Sequence, residues 1–169
     1  MTEPNNNMVF VANANALAFY NNWKTDTMRG IYLFAPLSVM ICVLWFTLIV
    51  GITIKLLFIL LLPLILIVKA FVYTPLIVRG RYMNGLLSNL IIDNQIIKIK
   101  TFSWFRYKSI DVSMHSSLVI LTPLKGDSFF KGNNVWMLEA DNAGIKKLYV
   151  IEEFFETPIM SSLKKAIHN

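Results

Sequence analysis

Few side chains in this sequence have the type and spacing that catalysis or metal binding requires. The two histidines, His115 and His168, have no second ligand at metal-binding spacing, and the single cysteine, Cys42, lies within an apolar run. Glu152 and Glu153 are neighbours in a predicted strand, so their carboxylates point to opposite faces. The sequence contains no nucleophile elbow and no glycine-rich phosphate loop. We therefore predict no catalytic site, no metal site and no cofactor.

Basic residues supply the one pattern that points to binding. The candidate lipid-binding or partner-binding residues come from two neighbouring predicted strands and are Lys98, Lys100, Trp104, Arg106 and Lys108. If the turn between the strands falls at Ser103 and Trp104, the four cations crowd together, and an anionic partner relieves their repulsion. We expect this edge to contact acidic lipid headgroups. The alternative is a solvated sheet face whose lysines protect an edge.

The composition shows an excess of apolar residues that is concentrated in one part of the chain. Hydrophobic residues make up 56% and charged residues 15%, against about 45–50% and about 25% in ordinary soluble domains. Between residues 30 and 78 only Lys55 and Lys69 are charged. The local density of apolar residues, more than the average, indicates a membrane protein.

Two stretches within this region are each long enough to cross a membrane. Residues 30–54 and 55–78 match a hydrocarbon core of about 30 Å at about 1.5 Å per helical residue. Residues 51–53 are the plausible turn. We therefore predict two transmembrane helices that form a hairpin over residues 30–81. The alternative is one long or re-entrant element whose second segment does not fully cross.

Basic and aromatic residues flank the two spans at the ends away from the turn. These predicted membrane-interface anchors are Trp23, Lys24, Arg29, Arg79 and Arg81. Lys55 is the one lysine near the turn, so the positive-inside rule places both termini in the cytoplasm. The net charge of +6 fits the same explanation, and we expect no nucleic-acid partner.

Lys69 is a charge within the second predicted span. A charged residue within a membrane span is costly, so by default it is expected to have a function. We expect Lys69 to snorkel toward the cytoplasmic surface. The alternative is that Lys69 pairs with a carboxylate on another subunit, since the predicted spans contain no acidic residue.

The N-terminal segment, residues 1–29, precedes the hairpin. Residues 2–7 are polar, and the apolar side chains of residues 8–23 lie near helical spacing. We predict a helix over residues 8–23. The helix lies on the membrane surface with Tyr20 and Trp23 at headgroup level, or it packs on this chain's own domain or a neighbouring subunit. The sequence favours neither placement.

Residues 82–169 predict a small cytoplasmic domain rich in β-strands. Short apolar runs separated by turn residues predict strands at residues 86–92, 95–102, 105–112, 118–121, 135–140 and 146–154. Strands at this spacing suggest an antiparallel meander or barrel. Thr157 as N-cap and Pro158 at the first helical position predict a C-terminal helix. The predicted fold class is a membrane α-helical hairpin joined to an α+β domain.

The most informative stretch of this domain is residues 90–112, LIIDNQIIKIKTFSWFRYKSIDV, a predicted strand, turn and two further strands. Residues 86–168, with membrane helices before them, resemble the bacterial pleckstrin-homology-like (PH-like) membrane-anchored domains. The resemblance implies a β-meander closed by a C-terminal helix, and an interaction role without enzyme activity. The long loop at residues 123–134 departs from the pattern.

These features together predict a non-catalytic adaptor or accessory subunit of a bacterial inner-membrane complex. The expected partners are acidic lipid headgroups, other membrane protein subunits and a second copy of the chain. One alternative is an immunity or exclusion protein that neutralises a toxin or an incoming element at the membrane. Another is a membrane-bound enzyme, which needs a pocket of convergent polar groups in the β-rich domain.

Overall fold

The structure, a computed structural model, describes residues 8–124, 129–130, 133–140 and 147–168. Contacts divide the chain into two units. The sheet unit comprises the described residues up to Tyr20 and from Arg81 onward, and the helical unit comprises Asn21–Gly80. The layout agrees with the predicted α+β class, because two long apolar helices are followed by antiparallel sheets.

The first sheet of the sheet unit has four antiparallel strands in chain order. The strands are β1 (Met8–Val11), β2 (Leu87–Asp93), β3 (Ile96–Thr101) and β4 (Asp111–His115). Side chains of β3 alternate strictly between exposed and buried. Ile96, Lys98 and Lys100 face solvent, whereas Ile97, Ile99 and Thr101 are buried. A two-residue turn joins β2 to β3, and its first residue, Asn94, adopts a φ of 52°, which asparagine tolerates.

Met8–Val11 form a strand, so the helix predicted over residues 8–23 is wrong for these four residues. β1 pairs with β2 along its whole length, with Met8 opposite Ile92 and Val11 opposite Asn89. Valine and phenylalanine favour an extended chain, and the Phe10 side chain is buried. Pairing with a distant strand therefore outweighs the helical spacing of the apolar residues.

The helix α1 (Ala14–Arg29) starts directly after β1. The Oδ1 atom of Asn13 accepts a hydrogen bond from the Ala16 N–H at 3.1 Å, which is an N-cap contact. The Ala16 side chain is buried, and the rings of Phe19 and Phe154 pack with their centroids 5.2 Å apart. The first turns of α1 thus pack on the chain's own domain, which is one of the two predicted placements.

The second sheet has three antiparallel strands, β5 (Val119–Leu124), β6 (Val135–Ala140) and β7 (Leu148–Ile151). β6 has the predicted bounds. β5 is longer than predicted, because Pro123 and Leu124 still pair with β6. Of the predicted loop at residues 123–134, residues 125–128 and 131–132 lie outside the described residues, and so does the predicted turn at residues 141–144.

The predicted C-terminal helix is present as α5 (Ile159–His168). It begins one residue later than predicted, so Pro158 precedes the helix and is not its first residue. Its side chains that are buried in the sheet unit are Ile159, Met160 and Leu163. The ammonium group of Lys164 lies 4.3 Å from the ring centroid of Trp136 on β6, a cation–π contact that joins the helix to the second sheet.

The helical unit contains most of two long helices. The first continues from α1 through a π-helical turn (Gly30–Phe34) into α2 (Ala35–Val50), and the chain turns at Gly51, whose φ is 73°. The second consists of α3 (Ile54–Val68), a π-helical stretch (Lys69–Val78) and α4 (Arg79–Gly85). The two helices, of 37 and 32 residues, are long and apolar enough to cross a membrane.

Gly85, where α4 ends, marks a close backbone approach in the sheet unit. A Cβ atom at this position would lie 2.5 Å from the carbonyl oxygen of Lys147 and 3.0 Å from the ring of Tyr149. The Tyr149 ring packs on Tyr82 and Phe130, so it has little freedom to move aside. Only glycine fits here without a shift of the surrounding chain.

We expect Gly85→Ala to lower the free energy of unfolding by about 1–3 kcal/mol, because the added methyl group overpacks this contact. Thermal unfolding of the full chain in mild detergent, followed by tryptophan fluorescence, measures the effect. Gly30→Ala is the control, since a Cβ there meets no atom closer than 3.9 Å and alanine favours helix. Equal unfolding temperatures for Gly85→Ala and the unchanged chain would contradict the close approach.

Candidate functional site

The connection between β3 and β4, residues 102–110, is the candidate site and is called the β3–β4 loop below. Two hydrogen bonds close its base. The Thr101 N–H donates to the carbonyl oxygen of Ile110 at 3.0 Å, and the Ile110 N–H donates to Thr101 Oγ1 at 2.8 Å. Both side chains are buried, and a buried N–H without a partner costs about 1–3 kcal/mol. The Thr101 hydroxyl therefore fixes the point at which the loop closes.

Within the β3–β4 loop, Trp104 and Tyr107 bound a tight turn. Their backbones exchange two hydrogen bonds of 2.9 and 2.7 Å, which leave Phe105 and Arg106 at the tip. Phe105 has a φ of 45°, a left-handed conformation that costs a residue with a Cβ roughly 1–2 kcal/mol. Backbone strain of this kind clusters at functional sites, so the tip is a candidate for function.

Tyr20, the last residue of α1 in the sheet unit, holds the base of the loop. Its ring stacks on Phe102 at a centroid distance of 4.9 Å and meets the edge of Trp104 at 5.9 Å. The Tyr20 hydroxyl donates a hydrogen bond to the carbonyl oxygen of Ser103. Because Trp104 is 0% exposed, the base of the loop belongs to the core of the sheet unit.

The tip of the loop presents an aromatic ring and two cations to solvent. Phe105 is 38% exposed, and Arg106 and Lys108 are exposed as well. The guanidinium of Arg106 lies 5.5 Å from the ring centroid of Tyr107. An exposed ring beside cations suits a membrane interface, where the ring enters the headgroup layer and the cations meet phosphate.

The lysines of β3 face solvent, as predicted, but their neighbours on β4 are not cations. Lys98 lies opposite Ser113, and Lys100 lies opposite Asp111. The pair of opposite charges stabilises the sheet, whereas the predicted arrangement would have destabilised it. The predicted cluster of four cations is therefore wrong. Two of its members lie on the outer face of the sheet, and the other two lie in the loop.

The position of the turn explains this difference. The sequence indicated a turn at Ser103 and Trp104 and a strand over residues 105–112, but the chain turns at Phe105 and Arg106, and β4 begins at Asp111. Burial of the large Trp104 ring outweighs the local turn signal. Trp104 is thus not the surface residue that we predicted. Its Nε1 atom is buried and has no hydrogen-bond partner among the described residues.

Two of the predicted membrane-interface anchors meet in the helical unit. The guanidinium of Arg79 lies 4.6 Å from the ring centroid of Trp23, so the two helices also contact each other at the ends of their apolar stretches away from the turn. Sequence spacing carries no signal for this pair. The other predicted anchors have exposed side chains and are Lys24, Arg29 and Arg81.

A second polar arrangement surrounds His115 at the end of β4. The Ser117 N–H donates to His115 Nδ1 at 3.4 Å, so the proton is on Nε2, which donates to Gln95 Oε1 at 3.0 Å. The Ser117 hydroxyl lies 2.8 Å from the same Nδ1. These groups are exposed, so their hydrogen bonds compete with hydrogen bonds to water. The His115 side chain caps the short helical turn Ser116–Leu118. Asp93, Asn94 and Ile96 complete an open cleft of about 400 Å³.

Metal-binding side chains do not converge in the part of the chain that the structure describes. No group of three or more histidine, cysteine, aspartate or glutamate side chains lies close enough there to hold a metal ion. The exposed tip of the β3–β4 loop, which combines an aromatic ring with two cations, therefore remains the candidate binding site.

We expect Thr101→Val to lower the free energy of unfolding by about 1–3 kcal/mol, because it leaves the buried N–H of Ile110 without an acceptor. Chemical unfolding of the full chain in mild detergent measures this change. Thr122→Val is the matched control, since Thr122 is an exposed residue of β5 where valine suits a strand. A loss of similar size in both variants would show that the hydroxyl of Thr101 has no special role.

Comparison with protein-family models, with curated proteins and with solved structures found no match for this chain.

Proposed function

We propose that this chain is a non-catalytic integral membrane protein, in which a transmembrane hairpin anchors a small PH-like domain at the cytoplasmic side of a bacterial inner membrane. The domain acts as an adaptor or accessory subunit, and its β3–β4 loop contacts acidic lipid headgroups. Its protein partners are other membrane subunits or a second copy of the chain. Two antiparallel sheets followed by α5 support the PH-like interpretation, since the resemblance implies strands closed by a C-terminal helix.

The pairing of β1 with β2 is the observation that carries this proposal. β1 precedes the two apolar helices and β2 follows them, yet the strands pair over the whole of β1. Because two hydrogen-bonded strands occupy one compartment, the chain between them crosses a membrane an even number of times. A hairpin of two spans meets this condition, and so does a re-entrant element that never crosses, whereas a single crossing does not. The length and apolar character of both helices favour the hairpin.

The distribution of charge supports a cytoplasmic location for the sheet unit. Lys24, Arg29 and Arg79 lie near the ends of the helices that lead to the sheet unit, whereas Lys55 is the one cation near the turn. Basic residues that flank membrane spans are retained on the cytoplasmic side. The same bias favours contact with the anionic lipids of that side.

Chain connectivity supports lipid contact by the β3–β4 loop. Tyr20 donates a hydrogen bond to this loop. Further along α1, Lys24 and Arg29 are the cations that precede the first apolar stretch. Each basic residue near an anionic surface contributes about 1 kcal/mol, so Arg106 and Lys108 together contribute about 2 kcal/mol. The exposed ring of Phe105 adds apolar burial.

Labelling of single cysteines with a membrane-impermeant maleimide tests the hairpin. In a Cys42→Ser background, cysteine replaces Asn21, Ile52 or Ser161, all of which are exposed. We expect Asn21→Cys and Ser161→Cys to react in inside-out vesicles, and Ile52→Cys to react in right-side-out vesicles. Reaction of the first two from opposite sides would overturn the proposal, and reaction of all three from the cytoplasmic side would favour the re-entrant alternative.

A nitroxide at Ser109→Cys, an exposed position of the β3–β4 loop, tests the lipid contact in nanodiscs that contain phosphatidylglycerol. We expect power-saturation measurements to place the nitroxide at headgroup depth. Combined Arg106→Gln and Lys108→Gln should move it into water, because the loop loses about 2 kcal/mol of attraction.

Lys98→Gln combined with Lys100→Gln is the matched control, because it removes the same charge from the outer face of the sheet. It should leave the depth of the nitroxide unchanged. An equal shift with both double variants, or a shift with neither, would rule out the loop as the specific lipid contact.

A further inference from the structure

Lys69 extends from the side of the second helix that faces away from the first. The buried side chains of this helix, such as Leu60 and Ile67, pack inward within the helical unit. Ile65, Leu66 and Lys69 itself are exposed. In a membrane this side of the helix faces lipid, so Lys69 places a cation among apolar side chains at a lipid-facing position.

The position of Lys69 along the hairpin corresponds to the edge of the hydrocarbon layer. A Cβ atom added to Gly30 would lie 3.9 Å from the carbonyl oxygen of Phe71, so Gly30 and Phe71 lie at similar levels, and Lys69 lies at about the level of Tyr32 on the antiparallel first helix. From the start of α3 at Ile54 to Lys69 the helix rises about 22 Å at about 1.5 Å per residue. The long side chain carries the ammonium further toward the surface of a layer about 30 Å thick.

Two tyrosines reinforce this assignment of depth. Tyr73 follows Lys69 by one helical turn, lies on the same side of the helix and is 51% exposed. Tyr32, on the neighbouring helix, is 72% exposed. Tyrosine is enriched where hydrocarbon meets headgroups, because its ring is apolar and its hydroxyl needs a polar partner. A cation and two phenols thus lie near the cytoplasmic edge of the hydrocarbon layer, from which the long side chain of Lys69 can extend toward lipid phosphates.

The helical unit contains no carboxylate that can neutralise Lys69. Asp26 is the one acidic residue of Asn21–Gly80, and its Oδ1 atom lies 3.9 Å from Arg29 Nη1. Asp26 also precedes Tyr32 by about 9 Å along the helix axis, at about 1.5 Å per residue, and Lys69 lies at the level of Tyr32. The counter-ion for Lys69 therefore comes from outside this part of the chain.

We infer that Lys69, with Tyr73 beside it, binds the phosphate of an anionic phospholipid in the cytoplasmic leaflet. This inference rests on the proposed membrane-spanning hairpin and assigns it a lipid site that is separate from the β3–β4 loop. A lipid phosphate suits the position better than a carboxylate of another protein, since the Lys69 ammonium can extend to the headgroup layer and its neighbours on the exposed side are apolar.

Native mass spectrometry of the full chain, released from mild detergent after titration with phosphatidylglycerol, tests the site. We expect the unchanged chain to retain this lipid and Lys69→Gln to bind it about fivefold more weakly. Lys55→Gln, which removes the same charge near the turn, should bind as the unchanged chain does. Lys69→Arg should retain binding, and phosphatidylcholine should not distinguish the four proteins.

Carbonate extraction of membranes separates failure of this site from failure of the proposed function. If carbonate releases the unchanged chain, the proposal of a membrane-spanning hairpin is wrong, and so is the proposal of a lipid site at Lys69. If all variants stay in the membrane but Lys69→Gln binds phosphatidylglycerol as tightly as the unchanged chain, only the Lys69 site is overturned. Loss of a dimer in Lys69→Gln with unchanged lipid binding would assign the counter-ion to a second copy of the chain.

Discussion

The hydrogen bonds between β1 and β2 are the constraint on which the rest of the structure depends. They join segments that the entire helical hairpin separates in sequence, and the N–H of Ala12 continues the contact by donating to the carbonyl oxygen of Ser88 at 2.9 Å. The short N-terminal strand is therefore a structural part of the domain. The chain leaves the first sheet after β1 and returns to it at β2, so two chain segments connect the sheet unit with the helical unit.

This constraint links folding of the sheet unit to placement of the helices. Closing a flexible loop as long as the chain between β1 and β2 costs on the order of 4 kcal/mol of chain entropy. Antiparallel helices reduce that cost, because their packing brings the two ends of the intervening chain close together. The contact of Arg79 with Trp23 stabilises the same closed arrangement at the base of the hairpin. Sheet and hairpin thus favour each other's formation.

Elements that depend on local pattern could be predicted from the sequence, and those that depend on distant partners could not. Alternation along β3, the bounds of β6 and the proline that precedes α5 are local signals, and the structure has all three. Met8–Val11 are compatible with both helical and strand periods, and only the distant β2 decides between them. Ser103 and Trp104 lie between two apolar runs, which suggests a turn, and the burial of Trp104 depends on contacts with Tyr20.

The β3–β4 loop combines buried residues that hold it in place with an exposed tip. Burial of Trp104 and the hydroxyl of Thr101 hold the loop in place, and neither group reaches solvent. Phe105 does the opposite, because it adopts a strained φ of 45° and exposes an apolar ring. Glycine at the same position would relieve the strain, but it would lose the edge-to-face contact of the Phe105 ring with the Trp104 ring, whose centroids lie 5.1 Å apart. The part of the ring that stays exposed, beside Arg106 and Lys108, is the surface that the proposed headgroup contact would bury.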